Sequence, residues 1–492
     1  MSLISVDSKS QEVNGKMYLK AVLIFPFIGI LLLSLIRSYR ISSFLNTLFS
    51  FLSFASSLLL LVKRESAGLF FVVDELNIVF ILLTNFVGFT TALFSQKYIA
   101  HEIKTGHISA VSLRFYHAMY QSLLFGMNLA LCSNNIGLMW VSIEIATLST
   151  VLMVGIYRTA EALEASWKYF ILGGVGIALA LFGTFLFYIS ARPAIGEGLS
   201  AMAWTNLLSH ASNLDTSLVN IAFVFILLGY GTKAGLFPLH AWLPDAHAEG
   251  PTPISAVLSG LLLNVALYAI LRFKMLLAAN PHALQAGPLL MSLGLASVLF
   301  AALMLYKRRD IKRLFAYSSI EHMGIIAFAF GIGGALANFA GLLHMSMHSL
   351  TKSAIFFAIG YISQIKRTQK IADLSGLTAS HPVLGWGLVF GVLAIAGLPP
   401  MGVFMSEFLV LSSAFAKAPL LAALLACGLI IAFGALLLKL VQVAFGEPKG
   451  TSAVVPSLYL PMLSHFLLIL AAGIYIPPHV VEWFKHTSLL LK

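Results

Sequence analysis

The chain has 492 residues, of which 59% are hydrophobic and only 10% are Asp, Glu, Lys or Arg. A soluble domain carries about 25% charged residues, so this chain cannot cover itself with a solvated surface. Its mean hydropathy of +0.93 and its recurring apolar runs of about 20 residues, the length that spans a bilayer, exclude a soluble enzyme and a disordered chain. The 30 Lys and Arg against 19 Asp and Glu leave a charge of +11. In a soluble protein that excess suggests nucleic acid. Here it fits the basic loops that membrane proteins keep in the cytoplasm, and no nucleic-acid partner is expected.

An all-α polytopic membrane protein of about fourteen transmembrane helices is predicted. The spans centre on residues 20–36, 44–62, 77–95, 115–133, 136–157, 166–190, 217–237, 253–273, 283–306, 320–339, 341–364, 382–398 (continuing to about 414), 418–443 and 454–476. Residues 1–16 are polar, and no small-residue cleavage site follows the first apolar run, so an uncleaved first span is expected. The segment 199–214 is amphipathic and is expected to lie on or between spans. Cys132 and Cys427 stand far apart in apolar runs without the spacing of a cluster or zinc site, and read as small buried hydrophobes.

Basic clusters set the orientation. Arg37 and Arg40 follow the first span; Lys307, Arg308, Arg309, Lys312 and Arg313 follow the ninth; Lys366, Arg367 and Lys370 follow the eleventh. All three follow odd-numbered spans, which places both termini on the non-cytoplasmic side of a bacterial or archaeal inner membrane. Lys63 with Arg64, and Arg272 with Lys274, argue the other way.

Charges inside the spans are the next signal, because each opposes insertion by roughly 2.5–3.5 kcal/mol for Asp, Lys or Arg at a helix centre. Glu144 lies eight residues past the start of its span at 136, on the order of 12 Å deep. Lys233 sits in FILLGYGTKAGLF, and Glu321 with His322 open the tenth span. His344, His348 and Lys352 recur at i, i+4 and i+8 and share one helix face. Glu407 sits in FMSEFLVL. A single such residue is explained by an ion pair between helices. The whole set, with both signs spread over five spans, reads better as a proton relay, since burial shifts carboxyl and amine pKa values toward each other. A metal site on the histidine face would require carboxylate or Cys partners from other helices. Paired haem histidines would come from facing helices.

Proline interrupts two apolar segments. One is KAGLFPLHAWLPDAHAEGPTPISA, broken first at Pro238; the other is AIAGLPPMGVFMSEF, broken at Pro399 and Pro400. In a membrane the freed carbonyls must face protein or a wet cavity, and paired broken segments point to a transporter built from inverted repeats. Glu144 to Glu321 is 177 residues and Lys233 to Glu407 is 174. The expected organisation is three N-terminal spans (1–114), two five-helix repeats (115–273 and 283–443), and a last span with a C-terminal tail (454–492). One detail resists: Lys233 precedes its prolines, whereas Glu407 follows Pro399 and Pro400.

The stretches GTKAGLFPLHAWLPDAHAEGPTPISAVLSG, DIKRLFAYSSIEHMG, HxxxHxxxK at 344–352 and GLPPMGVFMSEF resemble the antiporter-like subunit family. That family comprises proton-pumping subunits of respiratory complex I, large subunits of multi-subunit Na+/H+ antiporters, and membrane subunits of energy-converting hydrogenases. The similarity runs from about residue 70 to 445. The phrases EASWKYFILGGVGIALALFGTFLFY and LSGLLLNVALY look most like the hydrogenase 4 and formate hydrogenlyase branch.

The resemblance implies fourteen spans, two inverted five-helix repeats and a polar axis across the membrane. By position Glu144 matches the fifth-helix glutamate and Lys233 the lysine of the broken seventh helix. His344, His348 and Lys352 match the eleventh-helix relay, and Glu407 the terminal group of the broken twelfth. Many complex I members carry a lysine where this chain has Asn264, which orders water but carries no proton, so the central link is expected to run through water or His322.

The expected function is a proton-translocating (or sodium-translocating) membrane subunit of a redox-driven complex. No cofactor is expected on this chain: it has no Gly-rich dinucleotide fingerprint, cysteine cluster or haem pair, and electron transfer falls to other membrane and peripheral subunits of a hydrogenase or complex I-like assembly. Membrane lipid and protons are the remaining expected partners. A stand-alone Na+/H+ antiporter and a non-pumping scaffold are the alternatives.

Overall fold

The computed structural model describes residues 4–62, 67–450 and 452–491. Lys63 and Arg64 lie outside the described residues, as do residues 1–3 of the polar N-terminal stretch. The described chain is helical throughout. The N-terminal group is α1 (Ile4–Leu35), α2 (Tyr39–Leu59) and α3 (Glu75–Lys104). Next come α4 (Ala110–Cys132), α5 (Ile136–Val154), α6 (Ala160–Ile195), the short α7 (Trp204–Ser209), α8 (Thr216–Ala234), the short α9 (Leu243–Glu249), α10 (Thr252–Val257) and α11 (Leu263–Ala278). A five-residue π-helical stretch, Leu258–Leu262, joins α10 to α11. The remainder is α12 (Ala286–Lys307), α13 (Ile311–Ile332), α14 (Ala335–Lys366), the short α15 (Leu377–Ser380), α16 (Pro382–Ile395), α17 (Gly402–Lys417), α18 (Pro419–Ala444), α19 (Leu460–Ile474) and α20 (Pro478–Leu490). Among the described residues ten helices are long and apolar enough to cross a bilayer, or eleven if α19 and α20, bent by 82°, form one span. The protein is a multi-pass membrane protein.

The layering follows from which faces stay apolar. Along Thr252–Ala278 the best apolar window is wholly buried, whereas on α1 and α18 only 33% of it is. The run α10–α11 is therefore central, with α13 and α14 against it, and α1, α6 and α18 form the rim. Helices in lipid gain little from apolar contact and rely on close approach of small residues. On α12 and α13 a Cβ at Gly294 would stand 2.6 Å from the Gly324 carbonyl oxygen, and one at Gly324 would stand 2.7 Å from that of Gly294. Gly126 meets Ser142 in the same way, bringing α4 onto α5.

Both proline-broken segments are broken helices. Gly235 closes α8 in the left-handed conformation at φ 72°, which a side chain would strain. The groups freed by the break find partners: the Trp242 indole donates to the Thr232 carbonyl at 2.8 Å, and the Phe237 N–H donates to Ser297 Oγ at 2.9 Å. The second break lies between α16 and α17. Lys233 sits in the last turn of α8, whose negative end suits an ammonium, whereas Glu407 lies past the first turn of α17.

Several sequence readings need correction. Glu321 and His322 do not open their span; α13 starts at Ile311, so they lie about 15 Å along it. The basic residue that masked this start, Lys312, is buried and donates to the carbonyls of Gly250 (2.8 Å) and Ala248 (3.3 Å). Arg272 and Lys274 are not loop charges. Arg272 is buried on Asp74 at 2.7 Å and lies over the Trp204 and Tyr268 rings, and Lys274 donates to the Leu491 carbonyl at 2.8 Å. Burial works to raise the Asp74 pKa, but the Arg272 guanidinium and the Leu76 and Asn77 N–H groups hold it below the usual range. Cys132 is buried, but Cys427 lies exposed on α18. The C-terminal tail packs on the bundle: through α20 it reaches Asn338, whose amide donates to the Ser488 and Leu491 carbonyls. The segment 199–214 forms short helical turns beside α6.

Candidate functional site

The first group of ionisable residues lies between α5, α6 and α8. Lys233 is 1% exposed, and its Nζ has no hydrogen-bond partner in the protein. It stands 5.5 Å from the centre of the Tyr169 ring, an attraction that is oriented but weak. Tyr169 is itself fixed, stacked on Trp242 at 4.1 Å and hydrogen-bonded to Thr150 at 2.8 Å. Space for the ammonium comes from Gly173 on α6, where a Cβ would stand 2.7 Å from Nζ. Glu144 is the charged neighbour of Lys233, yet its buried Oε2 also lacks a partner. The two charges face each other without a direct hydrogen bond.

The second group is denser and joins α13, α14 and α17. His322 Nδ1 lies 2.9 Å from His344 Nε2, with the rings 5.1 Å apart. His344 Nδ1 lies 2.9 Å from Ser406 Oγ, and that hydroxyl donates to the Val403 carbonyl at 2.7 Å. Ser406 must then accept from His344 Nδ1–H, which leaves Nε2 of the neutral ring as acceptor for His322 Nδ1–H. Glu407 Oε1 is 3.9 Å from His322 Nδ1. His348, with neither ring nitrogen partnered, stacks on His322 at 5.6 Å. One turn further, Lys352 Nζ donates to the Phe315 carbonyl at 3.0 Å and has Glu321 as its charged neighbour.

Between the groups lies Asn264 at the start of α11. Its amide donates to Ser349 Oγ (2.7 Å), the Met345 carbonyl (3.2 Å) and the Gly260 carbonyl of the π-helical stretch (3.3 Å), and only Oδ1 has no partner. It ties the irregular stretch to α14 and keeps one acceptor for water. All seven ionisable relay candidates thus fall into two groups, with Pro238 at one break and Pro399 and Pro400 at the other.

Two features were missed from sequence. His247, on α9 between the prolines of the first break, is fully buried with both nitrogens unpartnered and stacks on Phe356 at 5.1 Å and 7°. It lies in electrostatic reach of both Lys352 and Lys312. The signal was available, a histidine in a proline-broken apolar segment, but nothing in the spacing set it above its neighbour His240. The other feature is a cleft of about 890 Å³ opening beside Lys312, with Tyr98, Glu102, His107, Gln364 and Arg367 among its walls. At its edge Glu102 accepts from Gln364 at 2.6 Å and lies 3.1 Å from His107.

Comparison with known proteins is consistent with this geometry. The transmembrane family described as NADH:quinone oxidoreductase/Mrp antiporter matches residues 133–434. A hydrogenase-4 component F homolog of Methylacidiphilum infernorum is 86% identical over 472 residues, covering 96% of this chain and 99% of that one. Among solved structures, the chain superposes on a subunit of the membrane-bound sulfane sulfur reductase, an archaeal respiratory membrane complex. The TM-score is 0.86 at 24% identity, over 96% and 97% of the two chains. A chain of respiratory complex I from Thermus thermophilus gives 0.80 at 25% identity, over 96% and 100%.

Proposed function

The chain belongs to the NADH:quinone oxidoreductase/Mrp antiporter transmembrane family, and on that premise we propose how it works: as the proton-translocating membrane subunit of a redox-driven complex of the energy-converting hydrogenase kind. The observation that carries the reading is the hydrogen-bonded sequence His322–His344–Ser406, with Glu407 beside it, in the buried interior. Imidazoles whose two nitrogens meet a donor and an acceptor pass a proton by taking it on one nitrogen and releasing it from the other. The nitrogen-rich donor set also favours H+ over Na+, which as a hard cation prefers oxygen ligands.

In this mechanism partner subunits carry out the electron transfer and signal to Glu144. Neutralising or moving Glu144 removes the charge that holds the proton on Lys233. Lys233 then releases it toward Asn264, whose Oδ1 orders water, and the proton passes through His348 and Lys352 to the histidine group and Glu407. The cleft at Lys312, a residue in electrostatic reach of His247, supplies protons from the aqueous face. In this reading the chain crosses fourteen times, with the α16–α17 pair as one crossing and α19 as the last, and is organised as two inverted repeats at 115–273 and 283–443. Close α4–α5 and α12–α13 packing at equivalent places supports them. Removing Arg272 and Lys274 from the loop count supports both termini on the non-cytoplasmic face of a prokaryotic inner membrane. No resident cofactor is proposed.

The test is pumping against electron transfer in the purified complex, reconstituted in vesicles. Glu144→Gln should leave electron transfer to an artificial acceptor and abolish coupled proton movement; intact pumping would remove Glu144 from the gate. Transport by the chain expressed alone would favour an antiporter instead.

A further inference from the structure

The geometry points to an inhibitory binding site for a divalent transition ion of the zinc type, formed by His322, His344 and Glu407; we propose that occupancy of this site blocks the relay. The inference rests on the relay reading for its consequence, not for the binding itself.

Three side chains from three helices converge here, with ligand atoms that all lie within 4.8 Å of one another. Zinc takes nitrogen ligands at about 2.0–2.1 Å in a tetrahedron, which sets ligand atoms about 3.3 Å apart. The two separations centred on His322 Nδ1, 2.9 Å to His344 and 3.9 Å to Glu407, lie on either side of that value. The remaining pair, His344 with Glu407, lies within 4.8 Å and has to close by up to about 1.5 Å to reach the geometry.

The surroundings fit as well. A metal-bound imidazole characteristically donates its other N–H to a neighbour, which fixes the ring and its tautomer. His344 already does this through Nδ1–H to Ser406, and so presents the Nε2 lone pair. His322 has to move its proton from Nδ1 to Nε2, giving up its hydrogen bond to His344 and placing the proton on a buried nitrogen without a partner, a cost that the metal–ligand bonds have to offset. Glu407 is the carboxylate from another helix that the histidine face of α14 lacked in sequence. Its side chain is 13% exposed, beside the α16–α17 break. The fourth position falls to water. Two imidazole nitrogens and a carboxylate within reach of one another serve a proton wire, and a zinc-type ion finds the same atoms.

The experiment uses the native complex in mild detergent, stripped with chelator and titrated with Co2+, whose visible spectrum reports geometry, and then with Zn2+. One Co2+ per complex is expected with a tetrahedral spectrum, displaced by Zn2+ and absent in His344→Asn and Glu407→Gln. Ser406→Ala should weaken binding about 10–100-fold, as expected of a positioning residue. Glu144→Gln, outside the site, should bind Co2+ as the wild type does even though it does not pump, which separates failure of the site from failure of the relay reading. If all four variants bind Co2+ alike, or the spectrum is that of an octahedral all-oxygen complex, the site does not exist. If Co2+ binds as expected but Zn2+ leaves wild-type pumping untouched, the inhibitory role is overturned.

Discussion

The two groups of ionisable side chains solve the same problem, holding charge inside a membrane, in opposite ways. Around Lys233 the ammonium has an aromatic ring, a glycine that leaves it room and a carboxylate it does not touch. In the second group both nitrogens of His344 meet a partner, while His322 Nε2 and the two His348 nitrogens do not. An isolated charge without a hydrogen bond is sensitive to any change in its one charged neighbour, because little else compensates its desolvation. A connected set of imidazoles passes protons without needing such a signal. The first group has the properties of a switch and the second those of a wire.

The sharpest way to break this comparison is to remove the switch. Lys233→Ala is expected to abolish proton pumping while the complex still assembles and transfers electrons to an artificial acceptor; pumping retained above about a tenth of wild type would refute the switch. The next largest effect is expected from the wire. His344→Asn removes a proton carrier, and general acid–base groups contribute about 10²–10⁴-fold, so the pumping rate should fall at least a hundredfold. Unlike the loss of Lys233, the remaining pumping should still respond to the redox reaction, which measured proton-to-electron ratios would reveal.

A smaller effect tests whether the switch depends on space. In Gly173→Ala the new methyl carbon would stand 2.7 Å from Lys233 Nζ, whereas at the adjacent Gly174 it would meet nothing within 4 Å. Displacing a catalytic group by about 1 Å costs up to about a hundredfold. Gly173→Ala is therefore expected to slow pumping about tenfold and Gly174→Ala to leave it unchanged. Equal effects of the two would show that the room beside Nζ is irrelevant.

How much of this was legible in the sequence follows from what each residue's signal depends on. Glu144, Lys233 and Glu407 interrupt apolar runs, so hydropathy alone exposed them, and the i, i+4, i+8 spacing exposed the α14 face. The family followed from contiguous motifs. Ser406, which sets the His344 tautomer, was invisible because a serine in a membrane helix signals nothing until its neighbours are known. Gly173 matters only because α6 lies against Lys233. Lys312, Arg272 and Lys274 were misread for one physical reason: positive residues near span ends count as loop charges unless buried carbonyls or an acid take them in, and only tertiary structure supplies those partners.

The smallest expected effect concerns the residue between switch and wire. Asn264 spends its amide hydrogens on Ser349, Met345 and Gly260 and keeps only Oδ1 for water, so its structural and conducting roles use different atoms. Asn264→Ala removes both. It removes the amide's contacts, at about 0.5–1.5 kcal/mol for a hydrogen bond, while Ser349 Oγ still donates to the Gly260 and Met345 carbonyls, and it takes away the water acceptor; lower thermal stability and a few-fold slower pumping are expected. Asn264→Lys supplies donors again but offers no acceptor. If it restores stability and pumping together, a protonatable group there substitutes for ordered water. If it restores stability alone, the proton crosses between the groups on water that Oδ1 holds, and the amide is the working link. The expected outcome is recovery of both, because an ammonium at this position satisfies the same carbonyls and carries the proton itself.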